Sequence, residues 1–157
     1  MSLIRFVAMP TDQVRAYQAG GPDAYGLPPE RRISDGSGVP CRHCLRHVEA
    51  GRPFLTLAHR PFPALQPYAE TGPIFLHAEA CERAAEEDVL APMFRATSDY
   101  ILRGYSADDR IVYGTGGVVE THRICGRAHE LLARDEVAYV HMRSARNNCY
   151  QLRIERG

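Results

Sequence analysis

The chain has 157 residues, and its 19 basic and 19 acidic side chains give a formal net charge of zero. This balance argues against a general polyanion binder, because nucleic acids are bound through an excess of basic charge. All 19 basic residues are arginine. The lack of lysine excludes a Schiff-base lysine, a lysine that anchors pyridoxal phosphate and the lysine of a P-loop.

The N-terminal stretch shows no targeting pattern. Its apolar run is too short for a signal peptide, and Arg5 interrupts it. No stretch approaches the roughly eighteen apolar residues of a membrane span. We therefore expect a cytoplasmic protein that does not act at a membrane. In that compartment thiols stay reduced, so the five cysteines point to metal binding, a redox pair or plain burial.

The first third of the chain predicts a strand, a short helix and a loop. Apolar residues alternate over 3–8, which is typical of a strand. Thr11 can begin a short helix that Gly20 ends. Residues 22–40 are rich in glycine, proline and charge, which indicates a surface loop rather than a domain boundary.

The middle of the chain predicts two buried strands and a helix. Residues 54–60 are apolar on both faces, which favours a central strand. A short strand over 74–76 is followed by a helical pattern over 77–90, which Pro92 ends.

The last third predicts strands over 99–104 and 111–113, a helix over 118–134, and a hairpin of 137–143 with 149–156. Few of these elements alternate as strand, helix and strand. We therefore predict a single α+β domain over 1–157, with an antiparallel-dominated mixed sheet and about three helices.

Four residues form a candidate zinc site. Cys41 and Cys44 have the Cys-x-x-Cys spacing of a tight turn. His77 and Cys81 lie four apart at the start of the predicted helix, so their side chains share one face. Two ligands on a turn and two on a helix are the usual halves of a tetrahedral site, and four protein ligands make such a site structural.

Other interpretations of these residues stay open. The 32 residues between Cys44 and His77 exceed the usual spacing of a zinc finger. Cys81 could be a buried thiol without metal, and the Cys-x-x-Cys could be a redox dithiol. His43 and His47 are further ligand candidates that could replace His77.

The C-terminal hairpin divides by parity into two faces. One face is apolar, with Ala138, Val140 and Met142 facing Tyr150, Leu152 and Ile154. The other face is polar and carries Tyr139, His141, Arg143, Cys149, Gln151 and Arg153. A three-residue turn would place His141 opposite Gln151 and Arg143 opposite Cys149.

The polar face has two interpretations. Alternating polar residues usually face water. Alternatively, the face binds a ligand, because two guanidiniums suit a carboxylate or a phosphate. The candidate ligand-binding residues are then Arg143, Arg153, Gln151 and Tyr139.

Several segments together resemble a known bacterial family. These segments are Cys41-Arg42-His43-Cys44-Leu45, Arg60-Pro61-Phe62, the run from Pro67 to His77, Cys81, and the closing Asn148-Cys149-Tyr150. They are similar to domain of unknown function 1203 over nearly the whole chain, and the run from Pro67 to His77 is the most specific part. The resemblance implies a stand-alone bacterial protein and supplies no reaction, substrate or catalytic residue.

Two functional hypotheses remain. The first is a cytoplasmic binding or regulatory module, with zinc as a candidate cofactor at Cys41, Cys44, His77 and Cys81, that binds a small anionic ligand or a protein partner. The second is a small enzyme in which His141 acts as base and Cys149 as nucleophile on an anionic or acyl substrate. The second requires the imidazole and the thiol to lie side by side in a cleft.

Overall fold

A computed structural model describes residues 3–157 of the chain. Its strands form two sheets, and the pairing within both is antiparallel. In chain order the elements are β1 (Ile4–Val7), α1 (Thr11–Gln18), β2 (Glu30–Ile33), β3 (Pro53–His59), β4 (Gly72–His77), β5 (Asp99–Tyr105), β6 (Gly117–Glu120), α2 (Ile124–Leu132), β7 (Tyr139–Ser144) and β8 (Tyr150–Arg156). Two short 3-10 helices span Pro92–Ala96 and Thr121–Arg123.

The larger sheet has the strand order β1-β8-β7-β5-β6, and the smaller sheet has the order β2-β3-β4. The predicted dominance of antiparallel pairing is confirmed, and β3 is the central strand of its sheet as expected. The expectation of one mixed sheet is wrong, because the strands divide between two sheets. The loop predicted over 22–40 contains the edge strand β2, whose exposed residues carried no alternating pattern.

The helix predicted over 77–90 is absent, and residues 78–91 have no regular secondary structure. Tertiary contacts hold their backbone instead. Ala84 donates its N–H to the carbonyl of His43, and the carbonyl of Glu87 accepts from Phe6 on β1. These contacts override the helix-forming preference of an Ala- and Glu-rich segment.

The long helix predicted over 118–134 is also wrong in part. Its first residues form β6, a 3-10 turn follows, and only Ile124–Leu132 is α-helical. The described residues therefore contain two α-helices rather than three. The strand expected over 111–113 is reduced to one bridge between Ile111 and Tyr105. No helix among residues 3–157 has the length and apolar character that a membrane span requires.

Both faces of the β7–β8 hairpin, which belongs to the larger sheet, are buried. One face packs against α2 through Val140, Met142, Leu152 and Ile154. The smaller sheet and α1 form a second core around Val14, Leu57 and Leu76, which Tyr150 of β8 joins. The hairpin thus lies between the helix layer and the smaller sheet.

A buried arginine connects the two sheets. Arg42 is 2% exposed, and its Nε donates to the carbonyl of Tyr150 at 2.7 Å, while Nη1 donates to the carbonyl of Pro40 at 2.8 Å. Its backbone N–H donates to Phe75 on β4. Burial lowers the pKa of Arg42 to about 10, so the guanidinium stays charged at neutral pH.

Replacing Arg42 with methionine is expected to lower the free energy of unfolding by about 2–4 kcal/mol, because two buried carbonyls lose a charged donor. Denaturant unfolding measures the change. Arg46→Met is the matched control, since Arg46 lies on the same loop but is exposed. Equal stability of the two variants would contradict a connecting role for Arg42.

Candidate functional site

The four predicted metal ligands lie together in the structure. One ligand atom from each of Cys41, Cys44, His77 and Cys81 lies within 4.8 Å of all the others. The fold brings them together by a different route from the one expected. Because residues 78–91 are not helical, His77 ends β4 and Cys81 lies on the irregular chain that follows it.

The turn that carries Cys41 and Cys44 is tightly folded. The N–H of Leu45 donates to the carbonyl of Cys41 at 3.1 Å, and Leu45 has a φ of 55°. This left-handed conformation reverses the chain just after Cys44. Cys41 pairs with Phe75 in an isolated parallel bridge, which fixes the turn against the edge of β4.

Two of the six distances between ligand atoms are close to those of a tetrahedral zinc site, and all six are at most 4.8 Å. With zinc–sulfur bonds near 2.3 Å and zinc–nitrogen bonds near 2.0–2.1 Å, a tetrahedron separates two sulfurs by about 3.8 Å and a sulfur from a nitrogen by about 3.5 Å. The Sγ atoms of Cys41 and Cys81 are 3.9 Å apart, and Cys44 Sγ lies 3.4 Å from His77 Nδ1. The donor set of three sulfurs and one imidazole also suits Zn²⁺.

The ligands are held by a surrounding layer of hydrogen bonds. The backbone N–H of His77 donates to Cys41 Sγ at 3.3 Å, and His77 Nε2 lies 3.4 Å from a carboxylate oxygen of Glu49. His43 Nδ1 lies 3.1 Å from Cys81 Sγ, and His43 Nε2 lies 2.9 Å from Thr11 Oγ1. Such contacts orient the ligands of a metal site.

The electrostatics of the thiols favour a cation. The thiols of Cys44 and Cys81 donate toward Cys41, which holds the pKa of Cys41 far below its usual range. The same contact with Cys41 raises the pKa of Cys44 to about 11 and raises the pKa of Cys81 as well. The opposite directions arise because neighbouring thiolates repel one another, so ionisation of all three thiols would need a positive charge between them.

Solvent reaches one side of this cluster. Cys44, His77 and Cys81 line an open cleft of about 920 Å³ together with residues of the segment 79–93. All five cysteines of the chain are free thiols. Chelators and alkylating reagents can therefore approach three of the four ligands directly.

The hairpin face expected to meet water is buried instead. Tyr139, His141, Arg143 and Gln151 are at most 6% exposed, and the side chain of Arg153 is 38% exposed. The rings of Phe62, Tyr105, Tyr139 and Tyr150 surround the imidazole of His141, with centroids 4.8–5.1 Å away. Burial, followed by the charge of Arg143, lowers the pKa of His141 well below its ordinary value.

The register of the hairpin also differs from the prediction. A bulge between Met142 and Arg143 places Arg143 opposite Tyr150, and His141 lies opposite Arg153. Tyr150 therefore joins the polar face, where it contacts His141, instead of the apolar face.

The register also sets the position of Cys149 relative to His141. Cys149 lies opposite Ser144, with which its backbone exchanges hydrogen bonds. Ser144 is three residues from His141, which corresponds to about 10 Å along a strand. The expected imidazole–thiol pair is therefore not formed.

The family assignment rests on most of the chain. A model of the family described as protein of unknown function (DUF1203) matches residues 38–156, a range that includes all four clustered ligands and the hairpin. The chain belongs to the DUF1203 family. Searches of curated proteins and of solved structures find no significant match. The chemistry of this DUF1203 protein must therefore be argued from its own side chains.

Sequence reasoning missed a charged group that meets the hairpin face. Glu70 accepts a hydrogen bond from Tyr105 at 3.1 Å and one from Arg103 at 3.3 Å, and it lies 3.4 Å from Arg143 Nη2. Arg103 and Tyr105 are two residues apart on β5, so the alternation of that strand could have placed them on one face. Nothing in the sequence indicated that Glu70, more than 30 residues earlier, would meet them.

Acid is expected to destabilise the protein through His59, which is 4% exposed and packs against Tyr150. Burial, followed by the charges of Arg42 and Arg60, lowers the pKa of His59 from 6.5 to about 4. The unfolded chain therefore takes up a proton first as the pH falls from 6.5 toward 4. Between pH 7 and pH 5, wild type should lose about 2 kcal/mol more stability than His59→Gln.

Denaturant unfolding at the two pH values checks this expectation, and the comparison cancels effects that both proteins share. His122→Gln serves as the control, because the side chain of His122 is 72% exposed. A His59→Gln variant with the same pH dependence as wild type and the control would refute it.

Proposed function

We propose that this chain is a cytoplasmic binding or regulatory module whose fold is held by a structural zinc ion at Cys41, Cys44, His77 and Cys81. The observation that carries the proposal is the convergence of three thiols and one imidazole nitrogen within 4.8 Å. Four protein ligands complete a tetrahedral shell and leave no position for a substrate. Zinc would therefore contribute stability rather than chemistry.

The position of the cluster supports a structural role. Its ligands come from the turn at Cys41, from the end of β4, and from residues 78–91, which lack regular structure. Zinc at this point ties three separate parts of the chain together. The free energy of zinc binding would add to the free energy of folding, because the unfolded chain has no preformed site.

For the binding role, the partner we propose is a small anion or a protein, reached through the arginines of the hairpin face. Arg143 and Arg153 lie on that face, and the net charge of zero disfavours nucleic acid as the partner. The enzyme alternative needs His141 and Cys149 in contact. The register separates these two residues, so no observation favours it.

Purified protein is expected to contain about one zinc per chain, with three thiols protected until a chelator is added. Cys125 and Cys149 lie outside the cluster and should react without chelator. Elemental analysis and thiol titration measure both quantities. Five reactive thiols and no metal would show that the proposal is wrong.

Cys44→Ser is expected to lose zinc and to lower the free energy of unfolding by several kcal/mol, on the order of 3–5. Cys149→Ser is the matched control, since it removes a half-buried thiol outside the cluster. The control should keep zinc and nearly full stability. Equal stability of the two variants would refute a structural role for the metal.

His43→Gln is expected to weaken zinc binding about 10–100-fold without abolishing it, because His43 contacts the sulfur of Cys81 and not the metal. Competition with a chromophoric chelator measures the affinity. His47→Gln is the control, because His47 is exposed on the same loop. If His43→Gln abolishes binding and His77→Gln does not, His43 is the fourth ligand instead.

A further inference from the structure

The face of the larger sheet that meets the segment 60–71 carries a group of donors around one carboxylate. Arg103, Tyr105 and Arg143 all approach Glu70, and they come from the neighbouring strands β5 and β7. Arg143 is 4% exposed and Tyr105 is fully buried. The donors are therefore fixed by the sheet.

The carboxylate of Glu70 comes from an irregular segment, whereas the donors come from β-strands. Glu70 lies between β3 and β4 on the segment 60–71, which has no regular secondary structure and contains three prolines. Phe62 anchors this segment by packing against Tyr105 and His141. The Glu70 side chain itself is 29% exposed. The carboxylate can therefore leave the donors while Phe62 stays in place.

Glu70 does not satisfy the donors. Charge-assisted hydrogen bonds between guanidinium and carboxylate are usually about 2.7–2.9 Å long. The contacts of Arg103 and Arg143 with Glu70 measure 3.3 and 3.4 Å. Nε and Nη2 of Arg143 and Nε of Arg103 are buried and have no hydrogen-bond partner among the described residues. Arg143 Nη1 has its own acceptor, the carbonyl of Asn148 at 2.9 Å, but the two guanidiniums share one loosely held carboxylate.

The unsatisfied donors reduce the stability that this group contributes. A buried donor without an acceptor costs stability, and the cost is larger when the donor is charged. An apolar replacement of a buried ion pair is often as stable as the pair or more stable. Two guanidiniums with free N–H groups, backed by a phenol, match the planar pair of oxygens of a carboxylate.

We propose that Arg103, Tyr105 and Arg143 form the binding subsite for a small carboxylate ligand, and that Glu70 occupies it as an internal substitute that the ligand displaces. This inference rests on the proposed binding function and names its ligand class and site. Displacement leaves Glu70 exposed to water, and the ligand takes over its contacts with the three donors. No covalent step is involved.

The probe for this subsite is acetate, followed by NMR of the arginine side-chain N–H groups at an ionic strength held constant with sodium chloride. Wild type should bind acetate weakly, because Glu70 competes for the same donors. Glu70→Gln removes the competing charge and should raise the apparent affinity about tenfold or more, since the free subsite is then the dominant state. Arg103→Met in the Glu70→Gln background should abolish binding.

Glu136→Gln is the control, because Glu136 also pairs with an arginine, Arg134 at 2.6 Å, but lies away from the hairpin face. This substitution should leave acetate binding unchanged. If Glu70→Gln binds no tighter than wild type, or if Arg103→Met has no effect, the inference is overturned and Glu70 is only a structural partner of the arginines.

Two further measurements separate this inference from the proposed function. The zinc content of each variant is measured, and wild-type protein without zinc would contradict the proposed zinc-stabilised module. Inorganic phosphate is titrated in parallel with acetate. If acetate and phosphate both require Arg153 but not Arg103, the carboxylate subsite is overturned while the binding module stays intact.

Discussion

The guanidinium of Arg42 reaches from the Cys41–Cys44 turn to the carbonyl of Tyr150 on β8, and the packing of the two sheets depends on this buried contact. The same turn is bonded through its backbone to Phe75 on β4 and to Met9 ahead of α1. A charged group can be buried here because its donors meet backbone carbonyls. The turn that carries Cys41 and Cys44, two of the four clustered residues, therefore also connects the two sheets.

The proposed zinc explains why residues 78–91 can be irregular. A segment without helical or strand hydrogen bonds must be fixed by other contacts. Here these are the thiol of Cys81, the carbonyl of Cys81 that accepts from Arg15, and the side chain of Arg83, which donates to Ala8. Metal coordination by Cys81 would hold this segment in place, although the segment has no helical or strand hydrogen bonds of its own. The segment could then form one wall of the cleft.

The residue types and their spacing in the sequence predicted the cluster of Cys41, Cys44, His77 and Cys81 better than they predicted the fold around it. The residue types and the Cys-x-x-Cys spacing picked out the four residues that cluster, but the helical spacing of His77 and Cys81 was the wrong reason, because tertiary contacts replace that helix. Parity correctly placed Val140, Met142, Leu152 and Ile154 on one apolar face, but the predicted register was two residues away from the observed pairing. Parity also failed for Tyr150, because a bulge between Met142 and Arg143 moves that side chain from the apolar face to the polar face. That bulge, the second sheet and the approach of Glu70 are all tertiary features that a local pattern cannot show.

Burial changes the meaning of the polar residues on the hairpin. On a solvated face they would cost nothing and would need no explanation. Between two sheets, a neutral imidazole surrounded by four aromatic rings and a guanidinium with unused donors both carry a desolvation cost. An apolar interior would avoid that cost, and the α2 side of the same hairpin shows that this chain can build one. This cost is the physical reason for our proposal that the polar interior recognises a ligand, with the turn at Cys41 packed on one side and Glu70 on the other.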